Sequence, residues 1–302
     1  MMRKHGMAAA GLGTSLALIL MVVTSAVFAE ERPVHKSGPA DPDGHVRIEN
    51  IAGSITVEGW DREEVQLDGV LGDDVEDLEF ESGAGTRIEV VYPRHVRNID
   101  EGADLTIKVP RGSRVEIDGV SCTISVEKVT GAVFAASVSG QVTVSGTLKE
   151  VSAETISGDL DLDVDCPEVS AKSISGEILV RGRILKLGAS TVSGDLDLAA
   201  ERFIELDLQS VTGDVDVAGD LDPSGSFTFD LHGGDLTLSV PGSLDADLEI
   251  ETFTGDIEDD FGGKVERSSA YGPGKEMFLT LGAGKARVRI SSFSGDVTIR
   301  KR

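Results

Sequence analysis

Apolar and polar residues alternate with period two along most of the chain. After Gly158 the apolar positions are Leu160, Leu162 and Val164, then Val169, Ala171 and Ile174. After Gly140 they are Val142 and Val144, then Leu148, Val151, Ala153 and Ile156. After Gly176 they are Ile178 and Val180, then Ile184, Leu187, Ala189 and Val192. Such alternation predicts strands with one buried face, and none of these segments carries a helical period.

The pattern itself recurs. Triplets of the type ISG, VSG or VTG end at Cys122, Gly140, Gly158, Gly176, Gly194, Gly213, Gly234, Gly255 and Gly295, at spacings of 18, 18, 18, 18, 19, 21, 21 and 40. The last spacing reads as two longer turns. A regular period of this size marks a solenoid. Eighteen residues hold about two strands and two corners, too few for a strand, a crossover helix and a return, so each period predicts one coil stacked on the next at about 4.8 Å. Three rows of side chains are expected to stack: Val133, Val151, Val169 and Leu187; Ala135, Ala153, Ala171 and Ala189; and Val138, Ile156, Ile174, Val192 and Val211. The alanine row implies a thin cross-section. A six-residue left-handed helix would place Glu150 and Glu168 in the series Val138, Val144, Glu150, Ile156, Leu162, Glu168, with acids at every third slot, which excludes it. The expected fold class is therefore an all-β, single-chain parallel β-solenoid of 18–21 residues per coil. It is right-handed by the usual hand of parallel connections and has about ten coils over roughly 50 Å.

The flanks are less regular. Residues 30–44, with three Pro and scattered charge, read as a linker. Residues 45–110 carry alternating strands and predict an irregular N-terminal β cap joined to the first coils, and residues 111–302 hold the repeats, with a Gly/Ser/charge-rich loop insertion at 259–276. The segments NIAGSITVEGWDREEVQL at 50–67, DLTIKVPRGSRVEIDGVSCTISV at 104–126, the reiterated SGDLDL units and the closing ISSFSGDVTIRKR together resemble the "putative adhesin" family, exported bacterial domains of unknown function built as a β-solenoid. The resemblance spans about residues 45–302 and departs from the family pattern at Cys122, which stands where a Gly is expected. It implies an envelope or surface location and a non-catalytic role, and it brings no catalytic residues with it.

Composition and charge narrow the function classes. Of 302 residues 36 are Gly, against about 7% in an average protein, and aromatics make up only 4%. The formal charge is −25, with no cluster of Lys and Arg, so nucleic acid and anionic membrane surfaces are poor partners. With one Trp and two Tyr, stacking on sugars has little support. Residues 1–29 read as a signal peptide: Arg3 and Lys4 precede the apolar run Leu16 to Val23, and Val27 and Ala29 suit the −3 and −1 positions of a cleavage site after Ala29. The competing reading is an uncleaved anchor, because Gly6 to Ala29 is nearly uncharged. Either way the chain is expected in the periplasm or at the cell surface.

Candidate chemistry is sparse. The residue after each turn Gly is an acid in most coils, and Asp159, Asp161, Asp195, Asp197, Asp214 and Asp216 would form a carboxylate ladder at about 4.8 Å, relieved by protons or by a hard cation such as Ca²⁺. The plainer reading is that Asp suits a slot beside a Gly turn and keeps the face soluble. Cys122 and Cys166 occupy different corner slots two coils apart, so no disulfide is expected. The acid pairs Asp73/Asp74 and Asp259/Asp260 mimic the carboxylates of pectin-cleaving β-helices but read as solvated loops, and Trp60 reads as cap packing. Neither a His/Cys metal set nor a Ser-His-Asp signature is evident. No cofactor other than Ca²⁺ is implied. The expectation is a non-enzymatic envelope scaffold or adhesion module presenting acidic faces to an envelope protein or glycan, with end-to-end self-association through its open ends. The alternatives are a β-helix enzyme on polysaccharide and a regulatory module of an envelope stress system.

Overall fold

The computed structural model describes residues 32–94, 99, 101–269 and 271–302. The segment at 1–29 expected to be a signal peptide lies outside these residues. Strands of alternating burial dominate the described chain and join into one continuous hydrogen-bonded sheet, because long strands such as Leu160–Ser173 and Val215–Leu231 bend and take part in two stacks. Successive coils pair in parallel: Val151 faces Val133 and Val169, and Leu160 faces Val142 and Ile178. This is the β-solenoid anticipated from the period, and the valine and alanine rows stack as expected with their side chains buried.

The alanine row is the middle of a longer rung. It continues to Ile117 and Ile48 in one direction and to Leu208, Phe229, Ile290 and Ile250 in the other. The core is thinnest where coils are 18 residues long. It thickens where they lengthen to 19 and 21, and the three buried Phe side chains, Phe203, Phe227 and Phe229, lie in those coils.

Coil order departs from chain order at both ends. His45–Trp60 lies between Arg114–Glu127 on one side and both Gly85–Val91 and Ala103–Pro110 on the other. Ala286–Ser294 lies between Val215–Leu231 and Ala246–Thr254, and Val297–Lys301 lies between Leu236–Val240 and Ile257–Asp259. The spacing of 40 to Gly295 is therefore not two further turns. The last coil folds back into the stack, and Gly295 sits between Gly234 and Gly255. Antiparallel strands cover both ends: Arg32–Pro39 on Glu64–Leu71 on Ala103–Pro110 and Asp77–Glu81 on Gly85–Val91 at one, Lys275–Leu281 with Val265–Arg267 at the other. Part of the expected linker is thus a strand, with all eight residues of Arg32–Pro39 in register, and the loop at 259–276 contributes to the far cap. Switching to antiparallel strands at the ends removes the long flat parallel edges a solenoid would otherwise leave open.

Candidate functional site

The site is built at the corner that ends in each turn Gly. Its slots are filled by Thr155, Ile156, Ser157, Gly158 and Asp159 and by their equivalents one coil away. Ala153 and Thr155 point inward, so period two sends Ile156 outward. The row Val138, Ile156, Ile174, Val192 and Val211 does stack, but it is not core: its members are 40–48% exposed. The strand's parity assigns the inward slot to the hydroxyl residue. The outward row extends to Ile51 and Val120 at one end and to His232, Phe293 and Phe253 at the other. The last three rings stack face to face, with centroids 4.9 Å apart for His232 and Phe293 and 5.1 Å apart for Phe253 and Phe293.

The Gly slot is forced by contact between coils. A Cβ on Gly176 would lie 1.9 Å from the Gly158 carbonyl oxygen, and one on Gly158 would lie 2.1 Å from that of Gly140. Backbones approach so closely at this corner that no side chain fits between them.

Where inward and outward slots meet, the surface is concave. A groove of about 1150 Å³ follows the solenoid axis, with the apolar row as one wall and Ala136, Glu154, Lys172, Ser190, Gln209 and Asp230 as the other. From Val138 to Phe253 it crosses eight stacked residues, or about 34 Å at the inter-strand spacing. Its floor is a row of buried hydroxyl residues interrupted by Leu231. In the thin coils these are satisfied internally: the Gly158, Gly176 and Gly194 N–H groups donate to Thr155 Oγ1, Ser173 Oγ and Thr191 Oγ1 at 3.0, 2.8 and 3.0 Å. In the wide coils they are not. Ser210, Ser292 and Thr252 are at least nine-tenths buried and their hydroxyls have no hydrogen-bond partner. Neither the groove nor its unpaired floor was foreseen from sequence. The signal for it was the small hydroxyl residue three positions before every turn Gly from Gly140 to Gly295 except Gly234, where Leu231 stands.

The acidic residues form two exposed rows on the other side of the turn. Asp159 Oδ1 accepts the Glu177 N–H at 3.0 Å, Asp195 that of Asp214 at 2.9 Å, and Asp214 that of Asp235 at 3.0 Å. Asp235 and Asp296 continue the relay into the last coils at 2.8 and 2.7 Å. Asp161, Asp197 and Asp216 fall in the outward slot two residues on, where Leu179 separates Asp161 from Asp197. Among the described residues no group of three or more His, Cys, Asp or Glu side chains is close enough together to hold a metal ion. Asp159, Asp195, Asp214, Asp235 and Asp296 each accept a turn N–H one coil away. Asp195→Ala should therefore lower stability by about 1 kcal/mol. Asp195→Asn, which keeps the acceptor, should stay near the parent in a urea melt; equal losses would point to charge rather than the hydrogen bond.

The remaining candidates stay apart from the groove. Cys122 and Cys166 are buried free thiols, and burial pushes the Cys122 thiol up to about 11 and raises that of Cys166. Both should resist a thiol reagent at pH 8 in the native chain and react once it is unfolded, by titration of released chromophore; a native reaction would show local opening. Asp74 accepts the Glu101 N–H, and Asp259 accepts from the Phe261 and Gly263 N–H groups, so these acid pairs hold loops. The Trp60 indole donates to the Glu64 carbonyl at 2.7 Å and lies under Arg62, while Tyr92 donates to buried Asn50 at 2.7 Å. Both pack the N-terminal end.

A family model described as Toastrack DUF4097, a domain of unknown function, matches residues 46–300. The chain belongs to this Toastrack family. No curated protein sequence matches it. Solved structures that resemble this Toastrack chain include one titled putative adhesin from Bacteroides fragilis, at 10% identity, TM-score 0.47 and coverage of 89% of this chain and 97% of the other. A putative adhesin from Parabacteroides distasonis has 9% identity and TM-score 0.48, with coverage of 90% and 98%. A protein from the same species, titled putative lipid binding protein, has 14% identity and TM-score 0.49, again covering 90% and 98%.

Proposed function

We propose that this Toastrack chain is a non-enzymatic interaction module of the cell envelope, exported by the segment at 1–29, and that its working surface is the groove rather than the acidic rows. The observation that carries this reading is the exposed row from Ile51 to Phe253, apolar at every position but His232, on a rigid stack that leaves it uncovered. Contiguous exposed apolar surface of that extent marks a docking site on a folded domain. Hydrolysis of a glycan is disfavoured by spacing: the groove carboxylates Glu154 and Asp230 are four coils apart, or about 19 Å, whereas glycosidase pairs sit about 5–9.5 Å apart.

The test is retention of the protein on isolated cell-envelope fractions, with calcium and then with chelator, beside an Ile156→Ser/Ile174→Ser variant. Retention in both buffers that the double substitution abolishes is expected. Retention abolished by chelator and untouched by the substitutions would transfer the function to the carboxylate rows and overturn the groove reading.

A further inference from the structure

The groove has more than an apolar wall, and its other features narrow what can occupy it. The wall opposite the apolar row runs in register through Asp118, Ala136, Glu154, Lys172, Ser190, Gln209, Asp230, Ser291 and Glu251. Four of these are acids. The one base, Lys172, is paired with Glu154 at 2.9 Å. On the far side of the apolar row, three residues on, run the exposed acids Asp159, Glu177, Asp195, Asp214, Asp235, Asp296 and Asp256. An apolar strip about 34 Å long is thus bordered by negative charge on both sides. A second copy of this chain would bring the same acids against them, which disfavours self-docking along this face.

We infer that the groove takes a basic amphipathic polypeptide segment. Its apolar side chains lie along the Val138-to-Phe253 row, and its Lys and Arg side chains reach Glu154 and Asp230 on one flank and the Asp159-to-Asp256 row on the other. This rests on the proposed docking function and adds the chemical class of the partner.

The probe is a Leu/Lys amphipathic peptide of about 22 residues, which as a helix spans about 33 Å. Binding to the full chain is followed by fluorescence anisotropy at low and high salt. Controls are the same peptide with Glu in place of Lys, and phosphatidylcholine vesicles. A third control is an Ile156→Ser/Ile174→Ser/Val192→Ser variant, which keeps the net charge and alters only exposed side chains. Its melting curve establishes that it is folded. The Leu/Lys peptide should bind, weaken with salt, and bind the triple variant about tenfold more weakly. The Leu/Glu peptide should not bind. Undiminished binding to the triple variant would mean attraction to net charge alone and would overturn the inference. So would binding of the vesicles or the Leu/Glu peptide in place of the Leu/Lys peptide, and those outcomes would still leave a docking groove. Envelope retention lost with the groove variant while no peptide binds would separate failure of this inference from failure of the docking reading.

Discussion

Gly176→Ala should destabilise the chain by about 4 kcal/mol or more, the range reserved for a change the fold cannot absorb. The reason is backbone rather than conformational preference. A methyl group at this position would lie 1.9 Å from the Gly158 carbonyl oxygen and 2.5 Å from its carbon, and neither atom can move without parting two coils that are hydrogen-bonded along their whole length. The disturbance would also pass on, because the next Gly along the axis packs against Gly176 in the same way. Gly188→Ala is the matched control. It lies one strand away on the same coil, nothing stands within 4 Å of its added Cβ, and its φ is ordinary. There the substitution should raise stability by about 0.5 kcal/mol by restricting the unfolded chain. Urea denaturation followed by circular dichroism separates the two, and a Gly176→Ala protein melting near the parent would refute the close stacking.

The second large effect lies in the core rung. Phe229 is fully buried, and Phe229→Ala should cost about 3–5 kcal/mol through lost burial and the cavity left behind. At Ala171, on the same rung three coils away, the sign of the size change reverses. Ala171→Leu should cost about 1–3 kcal/mol because the thin coils have no room for the added carbons. Loss from enlarging one site and from shrinking the other is what a core that widens along its axis requires. If Ala171→Leu left the denaturation midpoint unchanged, the central coils would not be packed as tightly as their alanine row indicates.

How much of this was legible in the residues depends on the kind of interaction. The coil period, the stacked valines and the alanine row follow from chain-local alternation repeated at a fixed spacing, and each coil meets its neighbour in the register that spacing dictates. The acidic slot was equally visible, yet its role was not. Spacing places Asp195 beside the next coil but cannot tell whether its oxygen faces a cation, solvent or the Asp214 N–H, and only the turn geometry turned it to the amide. The stacking of the apolar row was equally visible, but its exposure was not: parity with Ala153 and Thr155 turns Ile156 outward.

By itself, then, the sequence determined the element type, the solenoid class, the repeat length and the rows that stack, because period-two alternation and an 18-residue repeat are properties of the chain read in order. Tertiary structure decided three things that no local pattern contains. It inserted His45–Trp60 and Ala286–Ser294 inside the stack, since their best-matched partners are distant in sequence and a parallel edge is better covered than left bare. It made a groove along the corner beside the turn Gly row. It also left Ser210, Ser292 and Thr252 without partners in the widened coils, where the turn N–H groups that satisfy Thr155, Ser173 and Thr191 no longer pair with the hydroxyls.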